Sequence, residues 1–327
     1  LLALTALVPG LAQGIQWWLF AALFIGFAIK VPVFPFHTWL PDAHVEAPTA
    51  ASMVLAGILL KMGVYGFFRF LYPLVPDACL SQAAIWLVAV LGMVNLVYGA
   101  LVAMAQTDFK SLVAYSSISA MGYCLLGLAA MNMYGLMGGA LQSFNHGIES
   151  PLLFCLVGVV YERAHHRNLN EFGGLGLQMP YYAGLAVIGF MAALGLPGLN
   201  MFIGEAITFL GAYVPESLIR AAGPEAEKPF IAGTHGIAAS WIVYVSLAGI
   251  VFTAAYVLWT IQRVFFGPLK KKEYLEFDDV NPRETVSLVP LCALCVLFGV
   301  WPALLIDYMS PSLQAILEQV KTMAAGR

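Results

Sequence analysis

Residues 30–61 read Lys30-Val-Pro-Val-Phe-Pro-Phe-His-Thr-Trp-Leu-Pro-Asp-Ala-His-Val-Glu-Ala-Pro-Thr-Ala-Ala-Ser-Met-Val-Leu-Ala-Gly-Ile-Leu-Leu-Lys61. Each lysine belongs to an apolar segment long enough to cross a bilayer. Ile15 to Ile29 leads into Lys30, and Ala50 to Leu71 surrounds Lys61. A charge at that depth costs roughly 2.5–3.5 kcal/mol on insertion scales. An amine kept there is a candidate to load and unload a proton. Lys30 also has a plain reading, a snorkelling residue at a helix end. Lys61 has less room for one, because eleven residues precede it and ten follow it within its segment. Pro32 and Pro35 have no N–H to give to the carbonyls of Ala28 and Val31. A helix crossing this point is expected to break, and the freed carbonyls must face protein or a wet cavity. A broken helix beside an ionisable residue is how many transporters build ion sites near the midplane.

The composition excludes a soluble domain. The chain of 327 residues is 61% hydrophobic and only 10% charged, with mean hydropathy +0.84, whereas soluble domains carry about 25% charged residues. The expected fold is an all-α polytopic membrane protein with about eight spanning helices, two of them broken by proline. The net charge of −3 says little, because loop charges set topology. Cys292 and Cys295 have CxxC spacing but lie in an apolar helix with no second pair, and read as core packing. No nucleotide loop, iron–sulfur cysteine cluster or haem attachment motif occurs.

The run Lys-x-Pro-x-x-Pro-x-His-x-Trp-Leu-Pro-Asp-Ala-His, with Ala-Pro-Thr and Leu-Ala-Gly-Ile-Leu-Leu-Lys after it, resembles the signature of the antiporter-like membrane subunits of respiratory complex I. Its M-type members are the most similar. Relatives occur in Mrp-type cation/proton antiporters and membrane-bound hydrogenases. The resemblance covers residues 15 to 310. It implies about fourteen spanning helices in inverted five-helix repeats, with this sequence starting near the end of the sixth. It further implies proton translocation, with FMN, iron–sulfur clusters and quinone in partner subunits and L-type and N-type chains as neighbours. Within it, Lys30, Lys61, His146 and Glu205 become a line of titratable groups along the midplane. A carboxylate outside this chain is the implied partner of Lys30. A bacterial inner or plasma membrane is the implied location. Mrp-type antiport or a place in a membrane-bound hydrogenase is the alternative.

Taken in order, Leu1 to Val8 reads as the end of a helix and Pro9 to Gly14 as a turn. A loop is expected from Pro41 to Thr49. Its Asp42, His44 and Glu46 form either a polar plug or a proton access, or are simply solvated. Further segments are expected at 81–106, 108–131 with Asp108 as N-cap, 135–163, 181–213, 236–266 and 285–308, with a loop over 215–233. Residues 310–327 form an interfacial helix or a tail. The domain reading is 1–8, 15–72 as remnant of a first repeat, 81–266 as second repeat, and 285–327. Tyr115, Ser116, Ser117 and Ser119 give the 108–131 segment a polar stripe, with Lys110 interfacial.

Ala120 stands where the family commonly has a histidine. Glu149, three residues from His146 and so on its face, stands where the family has a small or apolar residue. The pair reads either as part of a relay or as a buried hydrogen bond that holds the helix. Pro197 between glycines is expected to break the 181–213 helix and leave Glu205 deep in apolar sequence. His165 and His166 lack other ligands at metal spacing and read as interfacial. Lys110, Arg163, Arg167, Arg263, Lys270, Lys271, Lys272 and Arg283 outnumber the opposite side's Arg69, Arg220, Lys228, Lys321 and Arg327. That bias puts the 37–49 loop on the cytoplasmic side.

Overall fold

The computed structural model describes residues 12–213 and 240–325. The helix end at 1–8, most of the turn at 9–14, the loop at 215–233 with Arg220 and Lys228, and Arg327 lie outside the described residues. The helices run α1 Gln13–Lys30, α2 Trp39–Glu46, α3 Thr49–Leu74, α4 Gln82–Ala105, α5 Phe109–Ala130, α6 Met133–Ala164, α7 Pro180–Ala193, α8 Asn200–Ala212, α9 Ser240–Phe265, α10 Pro282–Val300 and α11 Ala303–Ala325. Among the described residues, α3, α4, α5, α6, α9 and α10 are long and apolar enough to span a membrane. The broken pairs α1/α2 and α7/α8 account for the other two of the eight expected crossings.

Polar side chains set the helix starts. Asp108 accepts from the N–H groups of Lys110 at 2.8 Å and Ser111 at 3.0 Å, as an N-cap should. Asn132 does the same for Gly135 at 2.8 Å. Asn281 and Glu284 form a reciprocal capping box on α10. Two expectations need correction. The stretch expected as a loop from Pro41 is helical, since α2 runs from Trp39 to Glu46 and buries Leu40, Pro41 and His44 on one side. The last spanning helix stops at Val300 rather than near Tyr308. Pro302 drives Trp301 out of the helical region, to φ −127° and ψ 67°, and α11 then begins afresh.

α5 is the centre of the bundle, with almost all of its residues buried. Its neighbours approach on small residues: a Cβ on Gly122 would lie 2.6 Å from the Gly92 carbonyl of α4. That contact permits backbone packing no larger residue would allow. The supposed polar stripe of α5 divides by face. Ser119 donates to the Leu96 carbonyl of α4 at 2.8 Å, Ser117 meets Ser150 of α6 at 3.2 Å, and Ser116 faces Tyr256 of α9. Ser116 and Ser117 are consecutive and point about 100° apart, while Ser116 and Ser119 lie about 60° apart and meet different neighbours.

The connections and helix ends at 42–49, 107–111, 163–174 and 266–284 gather on one end of the bundle. Arg167 donates to Asp108 at 2.8 Å and to the Val45 carbonyl at 2.9 Å. Arg163 forms a two-pronged bridge to Glu284 at 2.8 Å on each prong. Lys270 donates to the Asn170 carbonyl at 2.8 Å. Seven of the eight basic residues counted together by sequence, all but Arg263, lie in these segments. Lys110 lies on this loop face, where it is 5% exposed and its ammonium donates to the Ala47 carbonyl.

Candidate functional site

α1 ends on Lys30, and the chain runs irregularly until α2. The backbone groups released there are met by protein. The Ala28 carbonyl accepts from Val33 N–H at 2.8 Å, and the Ile29 carbonyl accepts from the Trp39 indole at 2.9 Å. Asn95 of α4 serves two more. Its Oδ1 accepts from Phe34 N–H at 2.8 Å and its Nδ2 donates to the Pro32 carbonyl at 3.1 Å. Lys30 is half-buried, and its stem lies against Gly63 of α3, whose added Cβ would fall 3.1 Å from the Lys30 Cβ. Among the described residues no carboxylate pairs with it.

Lys61 sits one residue past Leu60, where a π-turn over Leu55–Leu59 ends. Such wide turns often mark functional sites. The Ala56 carbonyl inside this one accepts from the Lys61 ammonium. On its other side Lys61 Nζ reaches His146 Nδ1 of α6 at 2.5 Å. Close packing of α3 on α6 allows this: a Cβ on Gly57 would stand 2.7 Å from Pro151 Cγ, and one on Gly147 would stand 3.0 Å from the Gly57 carbonyl. His146 is 1% exposed. Lys61 also borders a cavity of about 950 Å³ between α3, α6 and α11, whose walls include Arg69, Ser143, Ser312 and Gln319 among apolar side chains.

Glu149 is buried on α6 one turn beyond His146. Lys61 is the cation whose charge it feels, and Tyr256 of α9 lies on its field as well. No hydrogen bond joins Glu149 to His146 among the described residues. Glu205 is buried on α8, facing the Tyr123 hydroxyl and the Gln142 amide. That approach is looser than a full hydrogen bond, for both amide atoms of Gln142 lack a close partner. The chain between α7 and α8 bends at Gly195, φ 75°, and Gly198, φ 96°. Glu205 Oε2 lies 2.4 Å from where a Gly195 Cβ would be. A second asparagine pair spans this break: Asn145 Nδ2 donates to the Asn200 carbonyl at 2.7 Å and Asn200 Nδ2 to the Asn145 carbonyl at 3.1 Å.

Of the five sequence candidates, Lys61 and His146 touch, Glu149 sees Lys61, Glu205 stands farther along α8, and Lys30 lies on the α3 side at the first break. Sequence reasoning missed the π-turn at Leu55–Leu59 and the roles of Asn95, Tyr123 and Tyr256. His44 is fully buried, with both ring nitrogens unpartnered among the described residues and its ring stacked on Phe154 at 4.3 Å. Asp42 and Glu46 are exposed. His166 is held in the loop face by Tyr274 at 2.8 Å. Cys292 and Cys295 are buried free thiols.

Residues 2–219 match the family described as NADH:quinone oxidoreductase/Mrp antiporter, TM. NADH-quinone oxidoreductase subunit M of Rhodobacter capsulatus is 41% identical over 94% of this chain and 55% of its own length. The subunit M of Rickettsia conorii is 39% identical over 96% of this chain and 58% of its own. The chain thus spans little more than half the length of these relatives. Respiratory complex I from Thermus thermophilus with bound NADH contains a chain that superimposes with a TM-score of 0.78, at 30% identity, over 95% of this chain and 60% of that one. The Mrp complex from Dietzia shares the fold at 20% identity, with a TM-score of 0.69 over 92% of this chain and 58% of that one.

Proposed function

The chain belongs to the NADH:quinone oxidoreductase/Mrp antiporter transmembrane family, and on that premise we propose that it translocates protons as an antiporter-like subunit of a complex I-type NAD(P)H/quinone oxidoreductase. The observation that carries this reading is the contact between half-buried Lys61 and buried His146, two titratable groups in spanning helices with buried Glu149 and Glu205 beyond them. A protonated Lys61 donates to the Ala56 carbonyl and to His146 Nδ1, which puts the neutral imidazole's own proton on Nε2. When the proton crosses, an N–H bond on lysine breaks and one on Nδ1 forms. The Nε2 proton is then free to leave toward Glu149 and Glu205, with water and the Tyr123 and Tyr256 hydroxyls as carriers. Lys30, at the first break, faces the arriving end. A membrane charge needs a partner or a wet cavity, and this row supplies the partners.

The chain carries no redox centre in this reading. FMN, iron–sulfur clusters and quinone belong to partner subunits, L-type and N-type antiporter-like chains flank it, and the assembly sits in a bacterial inner or plasma membrane. The test uses the complete complex in inverted membrane vesicles. Lys61→Ala should cut protons pumped per electron by more than about tenfold while assembly persists, and Lys61→Arg should fare no better, since arginine holds its proton. An unchanged ratio in Lys61→Ala overturns the proposal. A strict sodium requirement would turn the assignment toward cation/proton antiport of the Mrp type.

A further inference from the structure

We infer that Asn95, together with the Asn145–Asn200 pair, is a positioning device that sets the distance between titratable groups by clamping the two helix breaks. The inference rests on the proton-transfer reading above. Each break leaves backbone groups inside the membrane that the helix no longer serves, and such groups must be satisfied by protein or water. At the first break one amide side chain binds both a freed N–H and a freed carbonyl, Phe34 at 2.8 Å and Pro32 at 3.1 Å. Asn95 is itself fully buried. At the second break two asparagines exchange amide-to-carbonyl bonds at 2.7 and 3.1 Å, and both are buried.

Each clamp is mechanically next to a titratable group. Pro32 is two residues from Lys30, whose stem rests on Gly63, two residues from Lys61. Asn145 directly precedes His146, whose Nδ1 meets Lys61. The clamps therefore tie α4 to Lys30 and α8 to His146. They use amides, which offer a donor and an acceptor on one side chain. An apolar side chain of equal size would keep the packing but release the break. A shift of 1 Å between reacting groups can cost as much as 100-fold in rate.

Asn95→Leu and Asn200→Leu, made separately in the complete complex, test this in inverted vesicles beside Lys61→Ala. The expected result is assembled complex with NADH oxidation retained and protons per electron reduced at least about twofold. Asn95→Asp, whose acid form can donate to Pro32 and accept from Phe34, should keep a higher ratio than Asn95→Leu. A purely structural role would lower the amount of complex and leave the ratio alone. Wild-type ratios in both leucine variants, or equal losses in Asn95→Leu and Asn95→Asp, overturn the inference. If Asn95→Leu does not assemble, Asn95→Thr decides, since its hydroxyl serves one of the two groups at a time: a reduced ratio supports the clamp and a wild-type ratio overturns it. If Lys61→Ala pumps normally, the underlying reading fails. If Lys61→Ala is impaired while the asparagine variants pump normally, only the clamp fails.

Discussion

Lys61 shows how a charge within a spanning helix is held. Its ammonium has a backbone carbonyl on one side and an imidazole nitrogen on the other, so it is held but not locked into an ion pair. A carboxylate at hydrogen-bond distance would hold the proton far more tightly. Glu149 lies within the field of the Lys61 ammonium without bonding to it. Ala120, 8% exposed on α5, leaves that helix without the histidine its relatives' pattern implies, and Glu149 adds a protonatable group on the adjoining helix. Glu149→Gln is therefore expected to lower protons per electron severalfold in vesicles, and Ala120→His added to it should restore part of the loss. Loss of pumping with no rescue would leave Glu149 as a field-setting group rather than a carrier. Glu205→Gln should likewise depress pumping with the assembled complex intact, read from the same acidification traces against complex content.

At the scale of the element, the π-turn and the two breaks do what a regular helix cannot: they aim backbone groups and side chains sideways. The π-turn works only because Gly57 admits Pro151, whose Cγ would be 2.7 Å from an added Cβ. The proline ring is rigid and cannot yield as a long side chain would. Gly57→Ala should push α3 from α6, destabilise the fold by about 1–3 kcal/mol and weaken the Lys61–His146 contact. Thermal unfolding of the detergent-solubilised complex, together with the pumping ratio, measures both. Gly195 has φ 75°, where any other L-residue loses roughly 1–2 kcal/mol, and its missing Cβ makes room for the Glu205 carboxyl. Gly195→Ala should then impair pumping more than its stability loss explains.

Over the whole molecule, the basic loops are not loose connections but a bonded face that ties α2, α5, α6 and α10 together. Arg163 and Glu284 are its strongest link, 14% and 11% exposed. Glu284→Gln should cost about 2 kcal/mol and lower the melting temperature of the complex. The same face carries a pH response. Burial, reinforced by Lys271 and opposed by Glu171, holds the His166 imidazole below its ordinary value of 6.5. The unfolded loop thus binds more protons than the folded one between the two values, so stability rises with pH there. The contribution is present above pH 6.5 and is lost as pH falls through the folded value. Amide protection factors across residues 165–174, each referred to the intrinsic exchange rate at its own pH, should fall between pH 7.5 and pH 5.5 by more in wild type than in His166→Gln.

What the sequence determined by itself was the membrane fold, its eight crossings, the two breaks and the residues carrying charge into them. Lipid gives no water to an unsatisfied backbone and little tolerance to a charge, so apolar length, Pro32, Pro35, Pro197 and the lone Lys61 and Glu205 are legible one residue at a time. The motif around Lys30 placed the chain in its family for the same reason. Only the tertiary structure decided which groups meet. Asn95 and Asn145 look like ordinary polar residues in apolar helices until α4 and α6 lie beside the breaks. His44 looks like a loop residue until Phe154 covers it. Ser116, Ser117 and Ser119 look like one stripe until three different helices claim them. These assignments depend on helix rotation and close approach, which small residues such as Gly57 and Gly122 permit but whose partners no local pattern names.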